Sequence, residues 1–283
     1  MIFQRRAKRI AWACAAVLAV CLLALTLLES SAFFGAQKLH TSNLEGTYFP
    51  GNSDFGIVLC ADQPSNRAAL LQISRALGAS VLLPASGGMP PDADKLMRLS
   101  DALGTRAELE SGRVLVIAAD EWASAALDFA STHPSTLGIA LVRPALEPAP
   151  DPRGNDFAEL MILDHAGEPN SEALRAVSLY NRLSGDTISD NGRPLHAARG
   201  GISLALTSAP ILSDAVLSDA LLEELAGWIG ERAGVSPVKS ITQSAKTPLW
   251  LMGTAALLLG LFLLSLLCRN AYEGASGVVA AEV

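Results

Sequence analysis

The chain has 283 residues, half of them hydrophobic, and a formal net charge of −7. Residues 30–247 hold 16 Lys and Arg against 25 Asp and Glu, which leaves a net charge of −9. Because nucleic acids reward clustered basic residues, this acidic balance argues against a nucleic-acid partner.

The first element in the chain is an apolar run at residues 10–28, in which nothing is more polar than Thr26. Its length suits the ~20 helical residues that cross a bilayer. A basic segment, residues 1–9, precedes it. The alternative is a cleaved signal peptide, since residues 30–32 (SSA) resemble a cleavage site. Signal peptides usually have a hydrophobic region of only ~7–15 residues, so an uncleaved anchor is predicted.

A second apolar run at residues 249–268 predicts a second transmembrane helix. Positive flanks stay in the cytoplasm, which places residues 1–9 and the tail 269–283 there. Residues 29–54 and 235–248 are then juxtamembrane linkers, and residues 55–234 form one extracytoplasmic domain. The predicted location is an integral membrane protein, with a bacterial plasma membrane favoured because the domain has one cysteine, Cys60, and no Asn-x-Ser/Thr sequon. Cys60 ends an apolar strand and is interpreted as a small buried hydrophobe.

Within this domain, short runs that are apolar on both faces alternate with amphipathic stretches. This pattern predicts α/β architecture, with parallel strands covered by helices on both sides. The predicted strands are 55–60, 79–83, 113–118, 137–142, 159–163 and 201–207, and the predicted helices are 65–77, 93–103, 121–132, 171–184 and 214–233. Gly78, Gly104, Gly185 and Gly234 follow helices and are predicted αL caps.

The order of these segments over residues 55–233 resembles the α/β-hydrolase fold. Strand 55–60, with residues 64–66 and the helix after them, is similar to that family's oxyanion loop and first helix. Residues 113–134 (RVLVIAADEWASAALDFASTHP) resemble its central strand, nucleophile elbow and following helix. Residues 160–174 (LMILDHAGEPNSEAL) resemble the strand whose loop carries the catalytic acid. The resemblance implies an open parallel-sheet sandwich with strand 113–118 at its centre.

The catalytic signature of that family is absent. The family's elbow is G-x-S-x-G, because the nucleophile sits on a strained turn that leaves no room for side chains. Residues 118–122 read AADEW, so Asp120 replaces serine. Some relatives use an aspartate nucleophile, but aspartate at a helix start is also an ordinary cap. The loop expected to carry the base, residues 208–213, has no histidine, and Asp62 in the oxyanion loop would oppose a developing oxyanion.

The remaining weak catalytic candidates are Asp164, His165, Glu168 and His196. Asp164, His165 and Glu168 fall in the region of the family's acid, and His196 lies in a polar segment predicted as a loop. His133 is predicted to end a helix, where a cation favours the helix dipole. No metal site is predicted, because Asp164 and His165 would point to opposite faces of a strand. No cofactor is predicted, because the isolated glycine pairs do not form a phosphate-binding fingerprint.

Three functional hypotheses follow from these residues. The leading one is a membrane-anchored domain that has lost the triad and acts by binding, as a scaffold subunit in an envelope complex or as a receptor for a small ligand. The second is an active hydrolase that uses Asp120 with His165 or His196. The third is a purely structural double-spanning protein. The expected partners are the lipid bilayer and a membrane or envelope protein.

Overall fold

The computed structural model describes residues 35–41, 44–85, 92–144, 159–166, 173–189, 192–208 and 217–235. The predicted spans 10–28 and 249–268, the two predicted cytoplasmic segments and Glu168 lie outside these described residues. Within the described ranges, no helix has the length and apolar character that crossing a membrane requires.

The described residues form one nine-stranded mixed sheet. Its order is β1-β2-β4-β3-β5-β6-β7-β9-β8, so that β5 lies at the centre. The strands are β1 Gln37–Thr41, β2 Leu44–Phe49, β3 Gly56–Cys60, β4 Ser80–Pro84, β5 Val114–Ala119, β6 Gly138–Val142, β7 Leu160–Ala166, β8 Leu195–Arg199 and β9 Ile202–Ser208.

The six strands predicted from apolar runs are all present, as β3, β4, β5, β6, β7 and β9, and neighbours among them pair in parallel. Every residue of β3, β4, β5, β6 and β7 is buried. Strands covered by helices on both faces read as continuous apolar runs, which is why the sequence alone indicates them.

Three strands at the margins of the sheet, the edge strands β1 and β8 and the inner neighbour β2, depart from the prediction. β1 and β2 lie in the segment 29–54, which was predicted as a linker, and they pair antiparallel with each other. β8 lies in the polar segment predicted as a loop and pairs antiparallel with β9. Both predictions are wrong for these residues. Edge strands are half-exposed, so β8 shows only intermediate and exposed residues and gives no apolar run.

In the described ranges, five helices cover the two faces of the sheet. One face carries α2, α3 and α4, and the other carries α1 and α5. A short 3₁₀ turn, Asp120–Trp122, precedes α3. The helices are α1 Pro64–Ala76, α2 Ala93–Arg106, α3 Ala123–Thr132, α4 Ala173–Ser184 and α5 Asp219–Ala233.

The predicted glycine caps are correct in three of four cases. Gly78, Gly185 and Gly234 have φ angles of 78°, 67° and 72° after their helices. Gly104 lies inside α2, which continues to Arg106, so the prediction of a cap there is wrong. The left-handed position after α2 is taken by Glu108, with φ 54°.

The sheet has two distinct ends. At the amino edge the parallel strands begin, and at the carboxyl edge they end. β1 is antiparallel to β2, and β2 is antiparallel to β4, so β1 begins at the amino edge. α5 also ends there, because Arg113, just before β5, donates from Nη2 to the Ala233 carbonyl at 3.4 Å. The described domain therefore begins and ends at the edge opposite to Asp120.

Candidate functional site

Asp120 forms a sharp strand-turn-helix junction at the carboxyl edge of the sheet. β5 ends at Ala119, Asp120 has φ 55°, and the 3₁₀ turn leads directly into α3. The left-handed conformation is costly for residues other than glycine, although aspartate tolerates it better than most. The elbow geometry expected from the sequence is therefore present, with a partly exposed aspartate at its tip.

The elbow forms without its usual glycines because the neighbouring side chains pack into the core. Ala118 is fully buried, and Trp122 is only 5% exposed. Both belong to the apolar cluster between the sheet and helices α2, α3 and α4. A bulky residue at 122 is accommodated by that cluster, so the turn needs no glycine there.

Three strand ends lie level with one another at this edge. Ala119 pairs with Val142, and Val142 pairs with Leu163, on the neighbouring strands β5, β6 and β7. The next residues, Asp120, Arg143 and Asp164, therefore follow at the same level, with strands about 4.8 Å apart. Arg143 also has a positive φ of 52°. Sequence analysis missed Arg143, since no motif marks it.

Asp164 and His165 point to opposite faces of β7, as predicted. Asp164 is 2% exposed and His165 is 9% exposed. The His165 side chain approaches Ser218, directly before α5. Ile162, two positions before Asp164 and therefore on the same face of β7, packs on the α2–α4 face. The two side chains cannot therefore join as ligands of one ion. Among the described residues, no three His, Cys, Asp or Glu side chains are grouped to hold a metal ion.

His165 contributes to the start of α5. Ser218 caps this helix, its Oγ accepting from the Leu221 N–H at 3.2 Å. The Ser218 N–H donates to His165 Nε2 at 3.3 Å, and Ser218 Oγ lies 3.2 Å from the same nitrogen. Thr207 Oγ1 lies 3.4 Å from Ser218 Oγ. Because Nε2 accepts from a backbone N–H, it is occupied by structural contacts.

His196 lies on a strand at the edge of the sheet, and this corrects its predicted position in a loop. It pairs with Ala205 of β9, and its Nε2 lies 3.7 Å from Glu224 Oε1 on α5, with both side chains exposed. Four strand positions separate β8 from β5, which is about 19 Å. His196 is therefore too distant to act with Asp120.

The other two histidines also lie away from the elbow. His133 follows α3 at the amino edge, and its ring stacks on Phe129 with the ring centroids 4.5 Å apart. His40 is in β1, four strand positions from β5 on the opposite side. The sequence contains four histidines in all, and the structure places each one.

The segment after β3 matches the position of the predicted oxyanion loop. Asp62 is exposed, and α1 begins at Pro64 without a side-chain cap. Arg67 donates from Nε to the Ala61 carbonyl at 3.0 Å, and Asn66 is 1% exposed. Arg67 adds a cation to this loop, and sequence analysis missed it. Its position in the first turn of a predicted helix is the feature of the sequence that could have indicated it.

Cys60 ends β3 and is fully buried, as predicted for a small hydrophobe. Burial raises the pKa of the Cys60 thiol far above its ordinary value. The charges of Arg67 and Lys95 lower this pKa, and the charge of Asp62 raises it, by smaller amounts. The thiol is therefore held in its neutral, unreactive form.

No family model matches the sequence, and no curated protein matches it by sequence. The fold does resemble solved esterases. An esterase from Pyrococcus furiosus superposes with a TM-score of 0.53 at 14% identity, over 72% of this chain and 94% of that one. An acetyl xylan esterase from Aspergillus awamori superposes with a TM-score of 0.50 at 9% identity, over 71% and 99%.

These similarities agree with the strand order, the central β5 and the elbow at Asp120. At such low identities they describe the fold and not the chemistry. The chain has the α/β-hydrolase fold.

Proposed function

We propose that this protein is a membrane-anchored α/β-hydrolase-fold protein that lacks a hydrolytic triad and acts at the cell envelope by binding. One observation carries the proposal. All four histidines of the sequence have described positions, and none lies on the strand of Asp120 or on a strand next to it. Residues outside the described ranges include no further histidine.

A triad-type hydrolase needs a base in hydrogen-bond contact with its nucleophile. His165 is the nearest candidate by strand order, two strands or about 10 Å from β5. Its Nε2 is engaged by Ser218 on the α5 face of the sheet. Recruiting it as a base would therefore require the start of α5 to move.

The carboxylates at the carboxyl edge also disfavour ester hydrolysis, although Arg143 and Arg67 lie at the same edge. β3 and β5 end side by side, with Cys60 paired to Ala118, so Asp62 and Asp120 both follow at the carboxyl edge. Donors that stabilise an oxyanion should be neutral or positive. Two carboxylates at this edge would repel the anionic transition state of acyl transfer.

The full chain, purified from membranes, provides the test. We expect no turnover of activated acyl esters and no labelling by serine-directed fluorophosphonates, with an active esterase of this fold as positive control. Asp120→Asn should preserve the fold, because asparagine resembles aspartate both as a cap and in the left-handed region. Labelling of the full chain at any serine with accompanying ester turnover would contradict the proposal.

An active hydrolase with Asp120 as nucleophile is the second candidate, and the positive φ of Asp120 favours it. Strained backbone concentrates at functional sites, where surrounding structure maintains it. Haloalkanes and epoxides are the substrates to test, since aspartate nucleophiles of this fold act on them. Turnover of either class that Asp120→Asn abolishes, while the folded state persists, would replace the binding proposal with this one.

Membrane anchoring rests on the predicted spans 10–28 and 249–268. A reporter that is active only outside the cytoplasm should be silent when fused at Val283 and active when inserted near Gly154. The reverse pattern would overturn the orientation. A mature protein that begins near Phe33 would instead indicate a cleaved signal peptide. Co-purification from the native membrane would identify an envelope partner.

A further inference from the structure

A cavity of about 410 Å³ opens at the amino edge of the sheet. Its walls are the second half of α2, the loop that follows α2, the start of β5 and the end of α3. Asp120 lies at the other end of β5. The cavity is therefore separate from the elbow, and nothing in the proposed function uses it.

The charged groups in the cavity wall are acidic. Asp101 on α2 and Glu110 in the following loop both line it, and among the described residues no lysine or arginine does. Arg106 and Arg113, which flank Glu110 in sequence, are engaged elsewhere. Arg106 donates from Nη2 to Gln37 Oε1 at 2.8 Å, and Arg113 pairs with Asp54 at 2.6 Å. Neither carboxylate forms an ion pair with another described residue, so the wall keeps its negative charge.

His133 adds an imidazole ring to the same wall. Its Nδ1 lies 2.8 Å from Thr132 Oγ1 and 3.3 Å from the Phe129 carbonyl. The Thr132 hydroxyl donates to helix carbonyls of Asp128 and Phe129, so it accepts from Nδ1–H. When the ring is neutral, these contacts place its proton on Nδ1 and leave Nε2 as an acceptor.

The rest of the lining is mixed. Five serine and threonine side chains provide hydroxyl groups, and Met97, Leu109, Val114 and Phe129 provide apolar contacts. The volume falls within the range of small-molecule sites, which combine apolar walls with a few polar groups. A ligand with a positively charged donor and a short apolar part would satisfy both kinds of contact.

Gly104 explains how α2 leaves this space open. It lies inside the helix, where glycine is unfavourable, and it lines the cavity. A Cβ built at Gly104 would meet no atom within 4 Å. Packing therefore does not require glycine at this position, whereas any side chain there would project from the cavity wall.

We propose that this cavity binds a small organic cation, an amine or quaternary ammonium compound, between Asp101 and Glu110. The carboxylates of Asp101 and Glu110, with no described lysine or arginine in the wall, determine the sign of the ligand. Under the proposed membrane anchoring, the ammonium group has two possible sources: a free metabolite or the headgroup of a phospholipid. The proposal does not depend on the chemistry of Asp120, so the esterase test and the binding test can fail independently.

Binding of choline, ethanolamine and putrescine to the full chain in detergent, measured by calorimetry, tests the proposal. We expect at least one to bind. The double variant Asp101→Asn/Glu110→Gln should raise its Kd by about tenfold or more, because two attractive charges are lost. The matched control, Asp94→Asn/Asp128→Asn, removes two exposed carboxylates outside the cavity from α2 and α3 and should leave Kd unchanged.

A variant that fills the cavity tests binding independently if the charge variants fold poorly. Gly104→Leu should abolish binding while raising Tm, because it fills the cavity and improves the helix. Gly227→Leu in α5 is the control, since its Cβ also meets nothing within 4 Å, and it should raise Tm without affecting binding. Failure of all three amines to bind, or equal binding by Gly104→Leu and the parent, would overturn the proposal.

Competition experiments, in which short-chain phospholipids or free amines displace the bound amine, identify the source of the ammonium group. Dihexanoyl-phosphatidylcholine or dihexanoyl-phosphatidylethanolamine, but not dihexanoyl-phosphatidylglycerol, should displace it if the ligand is a lipid headgroup. Displacement by free amines alone supports a soluble metabolite. Equal displacement by phosphatidylglycerol would contradict a cation site.

Discussion

The two edges of the same sheet are built differently. At the amino edge, ion pairs and close packing connect the elements: Arg113 with Asp54 at 2.6 Å, and Arg232 with Glu159 at 3.1 Å. Gly138 begins β6 against the Trp228 ring. At the carboxyl edge, Asp120 and Arg143 have positive φ angles directly after their strands.

The difference shows that the strained backbone of the elbow can be present when the serine and glycines that usually form it are absent. The carboxyl edge keeps the elbow conformation although aspartate replaces serine and tryptophan replaces glycine. Strain of this kind is maintained by surrounding structure, here the core around Ala118 and Trp122. The amino edge, by contrast, combines tight packing with an open acidic cavity.

The largest expected effect tests the packing at the amino edge. A Cβ at Gly138 would lie 2.8 Å from Trp228 Cη2 and 3.2 Å from the Glu159 carbonyl. Gly138→Leu should therefore lower the free energy of unfolding by about 3 kcal/mol, as overpacking does. Gly227→Leu, which meets open space, should raise it by about 0.5 to 1 kcal/mol. Urea unfolding followed by circular dichroism measures both, and similar values for the two would show that the amino edge is not tightly packed.

The next effect concerns the cap that His165 supports. Ser218→Ala removes the cap of α5 and its contacts with His165 and Thr207, so we expect a loss of about 2 kcal/mol. Asp92→Ala removes the exposed cap of α2, whose carboxylate accepts from the Lys95 N–H at 2.8 Å, and should cost about 1 kcal/mol. An equal loss in both variants would mean that the contacts of Ser218 with His165 and Thr207 add nothing to the cap.

A smaller effect compares the strained positions at the two edges. Glycine adopts positive φ without steric cost, so Glu108→Gly at the end of α2 should gain about 1 kcal/mol. Asp120→Gly should gain about half as much, because aspartate tolerates this conformation better than glutamate. Thermal unfolding of both variants measures the gains. Destabilisation by Asp120→Gly would show that the carboxylate supports the elbow and would weaken the view that it is dispensable for the fold.

The sequence predicts the centre of the sheet better than its margins. Strands such as β5 and β6 are buried on both faces, so their apolar runs identify them directly. β8 has no buried residue, and its surroundings are rich in glycine and polar residues, so it resembles a loop. The error at His196 follows from that resemblance.

The site is predictable where a local motif marks it and not where distant residues meet. Asp120 follows an apolar strand and precedes a helix, so its position at the elbow follows from the sequence. Arg143 becomes part of the carboxyl edge only through the register of β6 with β5 and β7. The contact of His165 with Ser218 joins residues 53 positions apart, and no local pattern indicates it.

The smallest expected effect tests whether solvent reaches the last residue of β3 at the carboxyl edge. Cys60 is the last residue of β3, yet it is fully buried, and burial raises its pKa. In a chain whose other three cysteines are replaced by alanine, iodoacetamide should label Cys60 only after unfolding.

The raised pKa of the Cys60 thiol also has a consequence for the stability of the fold. The folded state keeps the thiol neutral, so the free energy of unfolding should fall as pH rises above the ordinary thiol value of 9.0, where the unfolded chain ionises. Cys60→Ala should remove this part of the pH dependence, and rapid labelling of the folded chain at neutral pH would show that the edge is open to solvent.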